Sequence, residues 1–270
     1  MTPPMRALAP VLTAALLAGC ATTTSPTGRT QYVGAIPPAQ LDQMGEQAFA
    51  EAKSRNTVST DAARNAYVRC VVDAITRELP AGWQARWDTA LFVNDEPNAF
   101  ALPGGKVGVH TGIFKVARNQ DQLAAVIAHE IGHVVSRHHD ERITRQLGTQ
   151  TVLGVASMIA GAAYGEGAAR TTSQLGGLTA QAAFLLPKSR EQESEADVVG
   201  QQLMARAGFD PRQAVNLWQN MIEASPGRPP EWLSTHPDPQ SRLRELGARA
   251  EGLLPVWQQA RGAGRAPRCG

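Results

Sequence analysis

Two histidines four residues apart with a glutamate after the first, His129-Glu130-Ile131-Gly132-His133, lie inside an apolar run that has the period of an α-helix. On a helix, residues four apart sit about 40° apart around the axis and about 6 Å along it, so both imidazoles can reach one metal ion. Glu130 then turns about 100° away, beside such an ion but off the ligand line, where a general base for an attacking water belongs.

The surroundings support that geometry. Asn119 followed by Gln122 reads as an N-cap and capping box, and Leu123, Val126, Ile127, Ile131, Val134 and Val135 recur at helical spacing to form one apolar face. The competing reading is an amphipathic helix that carries two polar histidines for packing alone. That reading gives a glutamate on a largely buried helix no reason to be there, because an unpaired buried carboxylate is costly.

At 270 residues and 43% hydrophobic, the chain suits one domain with small extensions and has enough apolar material for a core. A formal net charge of +2, with no basic stripe carrying aromatics, gives no sign of a nucleic-acid partner, and none is expected.

Residues 1–19 read as a targeting segment: a positive start ending at Arg6 precedes an apolar run from Ala7 to Leu17 that is too short to span a bilayer. The run closes in Leu17-Ala18-Gly19-Cys20, which resembles the lipobox of bacterial lipoproteins. The resemblance implies that Cys20 becomes the lipidated first residue of the mature chain, and Ala21 in place of Asp implies sorting to the outer membrane. An ordinary cleaved signal with a chance cysteine would also export the protein. Residues 20–38, rich in Thr, Ser, Pro and Gly, then read as a flexible tether.

With Cys20 set aside, Cys70 and Cys269 remain. An even pair in an oxidising compartment invites a disulfide that would pin the C-terminal tail to an N-terminal helix. The alternative is a buried apolar Cys70 and a frayed tail thiol at Cys269.

Helix patterns are expected at about 39–55 and 60–79, the second closed by Pro80 and Gly82. The period then changes to that of strands at 87–93 and 106–110, with Asn98-Ala99-Phe100-Ala101-Leu102-Pro103-Gly104-Gly105 between them. A small sheet therefore stands directly upstream of the His129–His133 helix. An extended peptide can add to such a sheet edge by main-chain hydrogen bonds, without demanding one sequence.

The Asn98 to Gly105 stretch together with His129 to His133 resembles the HtpX-type zinc metallopeptidases over about residues 40–250. That group includes CAAX prenyl proteases, mitochondrial Oma-type proteases and bacterial envelope proteases such as BepA, LoiP and YcaL. The lack of a long helical-repeat tail brings the chain nearer to the last two. The resemblance implies an α+β, mostly α-helical, zincin-like catalytic domain at residues 39–250 whose small β-sheet flanks the motif helix by its edge, with residues 251–270 as a tail.

The resemblance also implies a third ligand in a Glu-x-x-Ala-Asp word, and Ser189-Arg190-Glu191-Gln192-Glu193-Ser194-Glu195-Ala196-Asp197 supplies it. Glu193 matches the ligand, and Asp197, one turn later, is placed to accept a hydrogen bond from a metal-binding imidazole. Glu191 and Glu195 are expected to be solvated. Three protein ligands leave a fourth position for water, the catalytic arrangement. His139 lies ten residues after His129, as in metzincins, but Ser136 stands where that motif needs a helix-breaking Gly. A continuing helix would carry His139 about 15 Å up the axis, so His138 and His139 are expected at the surface or a helix end.

Residues 151–164 form a Gly/Ala-rich apolar segment, too short for a bilayer crossing, and the stretch continues to about residue 179. A lid, a lipid-contacting helix and a plain core helix all remain open for it. Asp210-Pro211 opens a helix reaching about Glu223, with Trp218 and Met221 toward the core. Ser234-Thr235-His236-Pro237, followed by Arg242, is similar to a word of the same family, in which the His stabilises an oxyanion or caps the metal at rest. His236 takes that role by resemblance.

The resulting expectation is a lipid-anchored outer-membrane protein facing the periplasm, an endopeptidase with one Zn²⁺ held by His129, His133 and Glu193. Glu130 serves as base, His236 as oxyanion group, and Asn98, Ala99, Phe100, Ala101, Leu102, Pro103 and Gly104 bind substrate. The resemblance suggests unfolded or misassembled envelope proteins as substrates. A zinc-bound chaperone-like or resting-state lipoprotein with little proteolysis is the alternative.

Overall fold

A computed structural model of the protein describes residues 21–84, 87–148, 186–224 and 239–270. Cys20, His236 and the 151–179 segment lie outside the described residues. The chain begins with a hairpin, β1 (Ala21–Thr24) and β2 (Thr30–Val33), followed by α1 (Pro38–Arg55) and α2 (Ala62–Thr76). Strands β3 (Asp88–Phe92), β4 (Ala99–Leu102) and β5 (Lys106–His110) lead into the motif helix α3 (Gln120–Val135). A helix over residues 138–148, α4, follows directly. The remaining elements are α5 (Leu186–Ala207), α6 (Gln213–Glu223) and α7 (Pro239–Gly262). The mostly helical α+β build expected from the sequence is the observed one.

Local chemistry sets the helix starts. The Asp61 carboxylate accepts from the Arg64 N–H to cap α2, whose Val68, Val71, Val72 and Ile75 then fall on one buried face. At α3, the Asn119 side chain accepts from Gln122 N–H at 2.9 Å. Gln122 reaches back to the Arg118 N–H at 2.8 Å, one residue beyond the usual capping-box partner. The helix α6 begins two residues later than Pro211, because the Asp210 carboxylate holds the Arg212 N–H in a turn. Trp218 and Met221 are buried as expected.

The three-stranded sheet has the order β3-β5-β4, with β3 parallel and β4 antiparallel to β5. Gly108 of β5 makes room for the Phe100 ring, since a Cβ there would lie 2.1 Å from Cζ. The edge strand β4 packs against α3, and α3 packs most extensively against α5, which in turn carries α7. From Leu123 to Val134 nearly every α3 side chain is buried, so the motif helix is the centre of the core.

Two expectations fail here. The stretch read as a flexible tether is ordered from Ala21 to Val33 as the β1–β2 hairpin, which is docked on the helices. Gln31 Nε2 donates to Ser136 O at 2.6 Å, and the Asp140 carboxylate accepts from Gly34 N–H at 2.9 Å. Thr-rich composition suits a loop and a strand equally, and the docking partners lie more than a hundred residues away. At the other end, α7 crosses residue 250 and runs to Gly262, so the expected tail is largely helix.

Cys70 and Cys269 form a disulfide with Cα atoms 5.4 Å apart, which decides between the two readings of that pair. The tail beyond α7 lies across the start of α3: Cys269 N–H donates to Gln120 Oε1 at 2.9 Å, and Gln120 Nε2 donates to Pro267 O at 2.8 Å. Among the described residues, no helix is long and apolar enough to cross a membrane.

Candidate metal centre

The helical spacing of α3 brings His129 and His133 to one face, with their Nε2 atoms 3.1 Å apart. α5 crosses this face closely because two glycines permit it. A Cβ at Gly132 would stand 2.9 Å from Ala196 O, and one at Gly200 2.9 Å from His129 N. This approach carries Glu193 to the histidines, with Oε2 3.4 Å from His129 Nε2 and Oε1 3.2 Å from His133 Nε2. Among the described residues these three form the group able to hold a metal, and all three are buried.

The triangle fits an ion. Tetrahedral ligands about 2.0–2.1 Å from zinc are separated from one another by about 3.3 Å. The two Nε2 atoms are 3.1 Å apart, and each has a Glu193 oxygen, Oε2 for His129 and Oε1 for His133, at 3.4 and 3.2 Å. Two imidazoles and one carboxylate with a remaining fourth position are the donor set of catalytic zinc sites.

Asp197 Oδ1 lies 2.9 Å from His129 Nδ1. With the proton on Nδ1, the imidazole donates to Asp197 and presents Nε2 as ligand. Arg242 of α7 closes this side. Its Nε and Nη2 donate to the two Asp197 oxygens at 2.6 and 2.7 Å, Nη1 donates to Glu193 at 2.8 Å, and the guanidinium lies 4.0 Å from the Trp218 ring centre. Arg242 Nη2 also lies 3.2 Å from His129 Nδ1, which is a close approach and not a hydrogen bond when both atoms carry protons.

The charges follow this wiring. Burial and Arg242 push the His129 pKa down, but the hydrogen bonds to Asp197 and Glu193 outweigh them and hold it up at about 9. His133 is held well below the usual histidine value, chiefly by burial. Burial works against the Asp197 carboxylate, yet Arg242 and His129 keep it far below the ordinary carboxylate range. Glu130 is 5% exposed, and its charge contributes to raising the Arg242 pKa.

β4 lies along the motif helix with Ala99 and Ala101 buried and Phe100 and Leu102 half-buried. Asn98 O accepts from His110 N–H at 2.9 Å, which continues the β4–β5 pairing. Among the described residues β4 pairs only with β5. Pro103 and Gly104 form the turn beyond it and line a cleft with Trp83, Trp87 and Val134.

Two placements correct the sequence reading. His138 is 0% exposed, and its Nδ1 lies 2.8 Å from His133 Nδ1. The α3 helix does not simply continue: Arg137 takes a left-handed φ of 56° and turns His138 back toward the centre. Glu195, expected in solvent, is 4% exposed and lies 3.1 Å from His138 Nε2. Its burial comes from the hairpin β1–β2, which the sequence reading had left undocked. Glu191 is exposed as expected, and His139 is not among the ligands. Arg242 carried only a weak signal, an arginine after the His236 word.

A helix with two histidines able to hold a metal, a glutamate from a crossing helix able to join them and a sheet edge alongside define a metallopeptidase-type domain. The model of peptidase family M48 matches residues 62–250, and the chain belongs to that family. It is similar to mitochondrial metalloendopeptidase OMA1 of Schizosaccharomyces pombe, with 38% identity over 180 residues, 65% of this chain and 49% of that protein. It is also similar to the beta-barrel assembly-enhancing protease of Escherichia coli, with 37% identity over 177 residues, 63% of this chain and 36% of that protein. The chain thus spans half or less of the length of these relatives.

Proposed function

We propose that the protein is a zinc-dependent endopeptidase of the bacterial envelope that cleaves unfolded or misassembled periplasmic and outer-membrane proteins. The observation that carries the chemistry is the buried His129–His133–Glu193 cluster, whose ligand atoms lie within 4.8 Å of one another, with Glu130 between the two histidines in the sequence. Zinc, when bound, polarises the scissile carbonyl and lowers the pKa of a bound water to about 7. Glu130 accepts the proton of the attacking water on a carboxylate oxygen and passes it to the leaving nitrogen. Asp197 holds the His129 ring by Nδ1, and Arg242 balances the buried carboxylates. The substrate backbone adds along β4 as an extended strand, in the register of Asn98 to Gly104. His236 is the group proposed to steady the developing oxyanion.

The location rests on the Leu17-Ala18-Gly19-Cys20 word, which would place a lipid on Cys20 and anchor the chain at the outer membrane facing the periplasm. The substrate class is supported by similarity to a protease named for β-barrel assembly. The test is metal content beside cleavage of unfolded casein, with the full chain compared with Glu130→Gln. One zinc in both proteins and cutting by wild type alone is the expected result. Zinc in both with cleavage by neither would replace the protease reading with a resting or chaperone-like one.

A further inference from the structure

Behind His133 a chain of buried polar groups leads away from the centre and ends on the N-terminal hairpin. His133 Nδ1 lies 2.8 Å from His138 Nδ1, and His138 Nε2 lies 3.1 Å from Glu195 Oε2. One assignment of protons satisfies every member: if His133 is to offer Nε2 as a ligand, its Nδ1–H donates to His138 Nδ1, whose Nε2–H donates to Glu195. Glu195 then receives three donors from the hairpin. Thr27 Oγ1 donates to Oε1 at 2.7 Å, and Arg29 Nε and Nη2 donate to Oε2 at 3.0 and 2.9 Å. Arg29 is itself held by Glu141, at 2.8 and 2.9 Å, and Glu141 also accepts from Gln192 and Arg145.

We propose that His138 and Glu195 are positioning residues for His133, and that Arg29 completes the relay, so that the N-terminal hairpin sets the metal affinity of the centre. The inference rests on the metal-site reading above.

Three observations favour this over plain packing. The left-handed Arg137 backbone, φ 56°, is a conformation a non-glycine residue adopts at a cost, and it is what returns His138 to His133. Both His138 and Glu195 are buried, so their polar atoms must be satisfied internally, and the partners present are the ligand and the hairpin. The relay also mirrors the other ligand: His129 leans on the Asp197 carboxylate directly, and His133 leans on the Glu195 carboxylate through one further imidazole. Groups that orient a ligand imidazole in this way fix its tautomer and raise its basicity. Because the hairpin starts at Ala21, the residue after Cys20, the segment nearest the proposed anchor would be a structural part of the metal centre.

The test titrates zinc against a competing chelator in the full-length chain and records the visible spectrum of its cobalt(II)-substituted form. Thermal melting of the metal-free protein is followed in parallel. Glu195→Gln and His138→Ala are expected to weaken zinc binding about 10- to 100-fold and to alter the cobalt spectrum. Arg29→Ala is expected to weaken binding less, with partial recovery in Arg29→Lys. Variants that melt earlier but bind zinc as tightly as wild type, with an unchanged cobalt spectrum, would reduce the relay to packing and overturn the proposal. If Glu195→Gln fails to fold, the half-buried Arg29 pair decides. A wild-type chain that binds no zinc would sink the metal-site reading, and the relay with it.

Discussion

Asp197 joins two partners at once, the His129 imidazole at 2.9 Å and the Arg242 guanidinium at 2.6 Å, and all three are buried at the α3–α5–α7 junction. The carboxylate therefore has two separable duties, to orient a metal ligand and to neutralise a buried cation. Asp197→Asn keeps the shape but removes the charge and replaces one accepting oxygen by an NH2 donor that faces an N–H of Arg242 or His129. We expect it to lose about 10- to 100-fold in zinc affinity and to destabilise the fold by less than the roughly 3–5 kcal/mol of a fully unpaired buried charge, because Arg242 keeps Glu193 as a partner. Chelator titration and denaturant unfolding measure the two effects separately.

Glu193 places a carboxylate oxygen where a third ligand is needed, and the motif histidines by themselves could supply only two. Glu193→Ala is expected to lose most of the bound metal when zinc is counted after gel filtration. Unchanged zinc content would require another donor, and His139 would have to be reconsidered despite its placement.

His139 provides a pH signature away from the ligands. Its Nδ1 is buried with no hydrogen-bond partner among the described residues. Burial, reinforced by Arg142 and His138, pushes its pKa down from 6.5 to about 4. The unfolded chain binds this proton below about pH 6.5 and the folded protein only near pH 4, so this contribution is present above pH 6.5 and is lost as pH falls toward 4. The full effect is at most about 3 kcal/mol. His139→Gln should flatten the fall in stability between pH 7 and pH 4.5 in urea unfolding; an identical slope would remove His139 as its source.

The Cys70–Cys269 bond closes a loop of 199 residues and ties the tail to the start of the motif helix. Cys269→Ser is expected to lower stability by about 2–5 kcal/mol. Because Cys70 sits on α2 and Gln120 is at the far end of α3 from His133, zinc affinity should be retained. Calorimetry with and without reductant checks the first statement, since reduction should change wild type and leave the variant unaltered.

What the sequence by itself determined is what local periodicity can carry. His129, Glu130 and His133 are related by helix geometry alone, and the Asn119 cap and the apolar face place that helix without reference to the rest of the chain. Glu193 and Asp197 became legible because their word repeats a family pattern one helical turn long. The strand ending at His110 and the Asn98 to Gly104 stretch before it, which holds β4, were likewise local signals.

Tertiary structure decided the rest, because burial and partnership are properties of meeting surfaces. Glu195 reads as a solvated carboxylate until a hairpin more than a hundred and sixty residues upstream covers it. His138 reads as surface until one left-handed residue turns the chain. Gly132 and Gly200 carry no helical signal of their own, yet their missing side chains let two helices approach closely enough for Glu193 to meet the histidines. The ligands could be read from the helix, but the support of those ligands by Arg242, Glu195 and Arg29 exists only where distant segments pack, since a hydrogen bond depends on distance in space and not on separation along the chain.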